Sequence, residues 1–255
     1  MSQHTRVLFV GAMDREIDGL LRALDAKAES ALLGCYPQWT ARQNSTDVTI
    51  VQTHVGDVNA AIATTAAITV HRPTAVFKFG CVGGHSAGIH TGDVVVPSHI
   101  FHSGAWIVRE ADATRWQPVF GDLPYQVNRE NLGGRDAVLK ADETLTSAWA
   151  QHVKTQGMRV VHAHIGSSNM WFFDHAHMTH VLDANLPDAP VREWAADMES
   201  YAVAQACTVA GVSFTGIHRA ANNEFLHEPY EPRAVAALFV EPFITTVQEF
   251  VSSLS

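Results

Sequence analysis

Cysteine is scarce in this chain: 255 residues contain three, Cys35, Cys81 and Cys207, far apart from one another. That number and spacing exclude a disulfide framework and a zinc knuckle, and a cytoplasmic setting follows as the default expectation. Cations are also in short supply. Seventeen Lys and Arg stand against 26 Asp and Glu, a formal charge of −9, which disfavours duplex nucleic acid and anionic membranes because both reward basic patches. Small molecules or other protein chains are the expected partners. No apolar run is long enough to cross a bilayer, and no internal repeat or low-complexity tract occurs. Met1 to Arg6 leads into a short apolar run without the longer apolar core and cleavage site of a signal peptide.

What is present is the patterning of a globular α/β protein. Hydrophobic residues make up 47% of the chain and charged ones 17%, enough apolar material for a sizeable core, and a single domain over residues 1–255 is expected. Val7 to Val10 reads as a buried strand, followed by a helix marked by Ile17, Leu20, Leu21 and Leu24. Runs near 36–42 and 47–54, separated by Asn44-Ser45-Thr46, predict a hairpin. Gly56-Asp57-Val58-Asn59 opens an alanine-rich helix from Ala60 to Val70 that Arg72-Pro73 stops, and the strand Ala75 to Phe79 ends in a glycine cluster. Further strands are expected from Gly92, at Val160 to Ile165 and at Val212 to Ile217, with helices near 142–155, from about 198 and from about 232. This alternation predicts a mixed, mainly parallel sheet with helices on both faces and ligands at the carboxyl ends of strands. The polar and aromatic stretch from about 103 to 136, with Trp106, Trp116, Phe120 and Tyr125, is expected to be a surface excursion, either a lid or a contact to a neighbouring subunit.

Acidic residues mark two places. Asp197-Met198-Glu199 stands at the mouth of an apolar helix in which Ala202, Val203, Ala206, Val209 and Ala210 recur at helical spacing, and Asp14-Arg15-Glu16 follows the first strand directly. An acidic first turn suits the helix dipole with no further purpose; two such clusters at strand ends could instead share one cleft. Two more strand ends could join them. Gly80-Cys81-Val82-Gly83-Gly84 permits close backbone approach and could form an anion-binding nest or a plain tight turn. Trp171-Phe172-Phe173, beside a polar loop, could stack on a flat heterocycle or fill the core. Of the 15 histidines, His177 and His180 share a helical face, but no third ligand is evident, so neither a metal nor another cofactor is expected.

In collinear order, Gly11-Ala12-Met13 with Glu16, Gly56-Asp57-Val58-Asn59-Ala60-Ala61, Phe79 to Gly84, Gly92 to Val96, Lys140-Ala141-Asp142, Asp197-Met198-Glu199 and Arg219-Ala220 resemble the 5'-methylthioadenosine/S-adenosylhomocysteine nucleosidases and their purine nucleoside phosphorylase relatives. The resemblance implies a one-domain α/β fold that cleaves a purine N-glycosidic bond, without a cofactor, in a homodimer or higher homo-oligomer whose site a neighbour's loop completes. It implies that Glu16 is the general base for the attacking water and that Glu199 holds the ribose hydroxyls. Met198 would pack beneath the sugar, Trp171 would stack on the base with Phe172 beside it, and Asp197, Cys81, Val82 and Gly83 would line the substrate.

The departures are as informative. Family nucleosidases read Arg-Ala-x-Ser-Asp where this chain has Arg219-Ala220-Ala221-Asn222-Asn223, so an amide at Asn223 takes the place of the aspartate that helps protonate purine N7. An amide NH2 pairs with a 6-oxo group and clashes with a 6-amino group, which predicts a 6-oxopurine preference or weak turnover of adenine nucleosides. Cys81 replaces the usual serine. Lys78 and Arg15 fall where phosphorylases carry phosphate-binding arginines, which keeps phosphorolysis open as an alternative to hydrolysis. The missing aspartate leaves a third reading, a nucleoside-binding or storage-type protein with little catalysis.

Overall fold

The computed structural model describes residues 5–121, 127, 129–130 and 136–254. In β1 (Arg6–Gly11), Val7 and Phe9 turn to one side of a sheet and Leu8 and Val10 to the other, all buried. That alternation is what a strand covered on both faces requires. α1 (Asp14–Ala23) buries Ile17 and Leu20 on the Phe9 side. The edge strand β2 (Lys27–Leu32) lacks an apolar signal, since five of its six residues are exposed. β3 (Tyr36–Gln43) and β4 (Thr46–Gln52) form the expected hairpin.

α2 (Asp57–His71) starts at Asp57 and ends at Arg72, which takes the left-handed conformation before Pro73. Its buried Ala60, Ala63 and Ala67 let the helix lie close against the sheet. β5 (Ala75–Gly84) does not stop at the glycine cluster but runs through it as regular strand, and β6 (Val94–His102) follows. The excursion contains a two-stranded ribbon, β7 (Trp106–Ile107) with β8 (Gln117–Pro118); Tyr125 lies outside the described residues. After β9 (Val138–Lys140), α3 (Glu143–Thr155) is capped by the Asp142 side chain, which accepts from Leu145 N–H. Then come β10 (Val160–Ser167), α4 (His175–Asn185), β11 (Trp194–Asp197), α5 (Ser200–Ala210) and β12 (Ser213–Asn223). The expected terminal helix is two, α6 (Val235–Leu238) and α7 (Phe243–Ser253), separated at Pro242, which cannot donate to a continuing helix.

The sheet order is β11-β10-β6-β12-β5-β1-β4-β3-β2, with β9 paired to β6. Parallel pairing joins β4, β1, β5 and β12, and β6, β10 and β11, while the β2–β4 edge is antiparallel. β11 also pairs antiparallel with β5, Ala196 opposite Gly83 and Ala195 opposite Gly84, so this part of the sheet closes on itself. That closure brings Asp197 to Glu199 against the glycine cluster, far from it in sequence. One face is covered by α1, α3, α6 and α7 around Phe77, Trp149 and Phe250, the other by α2 and α5. α5 buries Ala202, Val203, Ala204 and Cys207, whereas Val209 and Ala210, expected on its buried face, are exposed. Among the described residues no helix is long and apolar enough to cross a membrane.

Candidate active site

A cavity of about 230 Å³ lies where the ends of β1, β5, β11 and β12 meet. Glu16, Asp197, Met198 and Glu199 all line it, as do Cys81, Val82, Gly83 and Trp171. The two acidic clusters of the sequence therefore share one cleft.

Glu16 is buried, at the third position of α1. Its Oε2 accepts from the N–H groups of Met13 at 3.0 Å and Ala12 at 3.2 Å, and its Oε1 accepts from Cys81 N–H at 2.8 Å. Three backbone donors thus aim one carboxylate. Gly80 makes this possible, because a Cβ there would come within 2.7 Å of Glu16 Oε1 and 2.9 Å of Lys78 Nζ. The glycine cluster is not an empty anion nest: the anion bonded to its backbone is the protein's own carboxylate.

Glu199, the N-cap of α5, accepts the Gly56 N–H in its Oε1 at 2.9 Å. Gly56 has φ 101° and ψ 153°, a conformation that costs any residue with a Cβ. This bond ties the start of α2 to the start of α5. Burial raises the Glu199 carboxyl to about 7, with Lys78 opposing and Asp197 adding to the rise. Lys78 is 1% exposed, its Nζ 3.4 Å from Glu199 Oε2 and 3.9 Å from Asp197 Oδ2. Burial works against its charge, but Glu199, Glu16 and Asp197 outweigh it, so its pKa is raised. Asp197 Oδ1 accepts from Ser200 and Glu199 N–H, and Oδ2 accepts the Ser200 hydroxyl at 2.5 Å. It touches the cavity, yet its oxygens are spent on the start of α5.

The opposite wall is aromatic and amide. Of the three consecutive rings, Trp171 alone faces the cavity, 49% exposed and edge-on to Tyr230 at 5.6 Å. Phe172, expected beside the base, is instead 2% exposed and packs edge-on against His85, His177 and Trp194 in the core, off the cavity. Phe173 points outward. Asn223 departs from expectation as well. Its Nδ2 donates to the carbonyls of Ser86 at 2.8 Å and Ile89 at 2.5 Å, and its Oδ1 accepts from Leu226 N–H at 3.1 Å, so the amide is used up holding two loops together. The residue on the wall is Asn222. The register of β12 against β5 shifts between Ala220 and Asn222, and one extra residue in a strand exchanges the faces of everything after it. Met170 and Asn222 stand in strand-end segments that the sequence itself marks; for Tyr230 and Val55, which also line the cavity, there was no signal.

Neither candidate phosphate residue lines the cavity. Arg15 is exposed and donates from Nη1 to the Pro232 carbonyl at 3.0 Å, and Lys78 is enclosed among the carboxylates. Cys81 faces the cavity, but burial and then Glu16 hold its thiol well above the usual range, so it is no nucleophile. Arg219 of the Arg-Ala motif sits 4.8 Å over the Phe243 ring. Among the described residues no group of three or more His, Cys, Asp or Glu could hold a metal ion.

The chain shares 29% identity over 82% of its length and 82% of the relative's with a 5'-methylthioadenosine/S-adenosylhomocysteine nucleosidase of Geobacillus sp. (strain WCH70), and 28% over 79% of each with that of Bacillus subtilis (strain 168). In fold it is similar to the Neisseria meningitidis enzyme of that name solved with methylthio-immucillin-A, at TM-score 0.72, 23% identity and 98% and 99% coverage. It is also similar to the futalosine hydrolase of Helicobacter pylori strain 26695, at TM-score 0.72, 17% identity and 98% and 97% coverage. A family model matches residues 6–252, from the first strand to the last helix, and the chain belongs to the phosphorylase superfamily.

Proposed function

We propose that this protein is a purine nucleoside N-glycosidase that uses water as the acceptor, with 5'-thio-substituted adenine nucleosides, the substrates in its relatives' names, as its substrate class. The observation that carries this reading is the pair of buried carboxylates, Glu16 and Glu199, aimed by backbone N–H groups into one cavity opposite an exposed indole. In the proposed reaction water oxygen bonds to C1' as the C1'–N9 bond breaks, and the bond's electron pair leaves with the base, which takes up a proton from solvent as Glu16 later returns its own. Glu16 takes the water proton. Ionised Glu199 accepts hydrogen bonds from the ribose hydroxyls, and the carboxylates together stabilise positive charge developing on the ring. Met198 supports the sugar and Trp171 stacks on the base. Met13, Val55 and Met170 offer an apolar lining suited to a thioether substituent.

The positions of Arg15 and Lys78 favour hydrolysis over phosphorolysis, because phosphate needs cations that face the substrate. The convergent carboxylates favour an enzyme over a storage-type binder. Incubating the purified protein with 5'-methylthioadenosine, with and without phosphate, and identifying the sugar tests this: a free 5-methylthioribose product is expected in both. A sugar 1-phosphate would replace this reading with phosphorolysis, and saturable binding without product would replace it with the storage protein.

We also assign a homodimer. Its support is a groove of about 620 Å³ between α2 and α5, lined by Val58, Ala61, Ile68, Ala206 and Val209, with Val58 67% and Val209 60% exposed. Sedimentation at micromolar concentration should give twice the chain mass. Free, unpaired Cys35, Cys81 and Cys207 suit a reducing cytoplasmic setting.

A further inference from the structure

Asn222 is 2% exposed and lies on the cavity wall, its amide flat against Gly83, where a Cβ would meet Oδ1 at 3.0 Å and Nδ2 at 3.3 Å. Its Nδ2 donates to Glu224 Oε1 at 2.9 Å. That bond orients the amide, because a carboxylate oxygen accepts and a carbonyl oxygen could not replace the NH2 beside it. Glu224 is held in turn. Its own N–H donates to the Gly84 carbonyl at 3.1 Å, and the same Oε1 accepts the Trp171 indole N–H at 3.2 Å. One carboxylate therefore fixes both the stacking ring and the amide. Among the described residues nothing donates to Asn222 Oδ1, and its second Nδ2 hydrogen has no acceptor.

We propose that Glu224 positions Asn222 to read the 6-substituent of the bound base. Asn222 Oδ1 accepts from a 6-amino group while the free Nδ2 hydrogen donates to N7, the two-point pairing an amide makes with adenine. A 6-oxopurine sets its O6 against Oδ1, two acceptors with no proton between them, in a buried place where that mismatch is costly. The base preference is therefore the reverse of the one an amide at Asn223 would impose, because the bulge in β12 places a different asparagine, held the other way round, on the wall. Glu224 does not touch the substrate in this arrangement; it acts through Asn222. The inference rests on the nucleoside reading of the cavity and extends it to the base.

The test compares wild type, Glu224→Ala, Glu224→Gln and Asn222→Ala by two readouts: kcat/KM for adenosine against inosine, and calorimetric binding of free adenine against hypoxanthine. Wild type should favour the 6-amino member roughly ten- to a hundredfold, the discrimination one two-point amide pair supplies. Glu224→Ala, which frees the amide to turn, should bring both ratios toward parity, as should Asn222→Ala. Glu224→Gln can still accept through its own Oε1 and should keep most of the preference. A merely structural Glu224 would lower both members together and leave the ratios unchanged, which overturns the proposal, as would a wild-type preference for hypoxanthine or binding of neither base. If adenine is selected over hypoxanthine but no nucleoside is cleaved, the hydrolytic reading falls while this assignment stands.

Discussion

On the floor of the cavity, Glu16 and Glu199 are aimed by four backbone N–H groups, those of Ala12, Met13, Cys81 and Gly56, with Lys78 enclosed beneath them. On the wall, Asn222, Glu224 and Trp171 hold one another side chain to side chain, and Trp171 is half exposed. A carboxylate held by backbone donors moves only if strands and helix ends move. A wall held by side chains changes with a single substitution. Under the proposed function, the sugar-facing chemistry is fixed by the fold, and the base-facing wall is where specificity can diverge without loss of the scaffold.

The largest effects are expected at the floor. Glu16→Gln should lower kcat by about 10²–10⁴-fold, the usual contribution of a general base, with KM little changed; steady-state kinetics on 5'-methylthioadenosine would show it. Lys78→Met leaves buried carboxylates uncompensated and should cost about 3–5 kcal/mol of stability at neutral pH, read by urea unfolding. Gly56→Ala forces a Cβ into a conformation it disfavours and should cost about 1–3 kcal/mol, seen in the same experiment. At the wall, Trp171→Phe keeps a stacking ring but loses the N–H to Glu224, which should raise KM and cost at most about 0.5–1.5 kcal/mol in unfolding. A large loss of stability from Trp171→Phe would erase the distinction between the two regions.

Acid sharpens the same contrast. Burial lifts Glu199 to about 7, and in the proposed reaction its ionised form accepts from ribose, so activity should rise with pH through about 7 in wild type and lose that step in Glu199→Gln. Stability runs the other way. The unfolded chain releases this proton near the ordinary value of 4.5 and the folded one holds it until about 7, so the stabilising contribution is complete below 4.5 and is lost as pH rises to about 7. Unfolding of wild type and Glu199→Gln across that window measures it.

Much of the floor was legible because its parts are local. Glu16 stands five residues beyond a strand end and Glu199 at a helix mouth, and period-two and period-3.6 patterning locates both. β2 escaped because an exposed edge strand carries no apolar period, and α4 because His175, His177, His180 and Asp183 interrupt its apolar residues, with His177 on the buried face itself. Val209 and Ala210 show the limit of periodicity from the other side, since an apolar face can lie against open surface as readily as against a core.

The strand–helix alternation and the acidic strand ends are readable from short-range patterning, and the family from the collinear order of its motifs. Only long-range packing settles which of two adjacent asparagines and which of three consecutive rings line the cavity, and that Lys78 is enclosed among carboxylates. The reason is register: β12 meets β5 about 140 residues away in the chain, and a single bulge in that pairing changes which side chains point inward without changing the composition or the period of the strand.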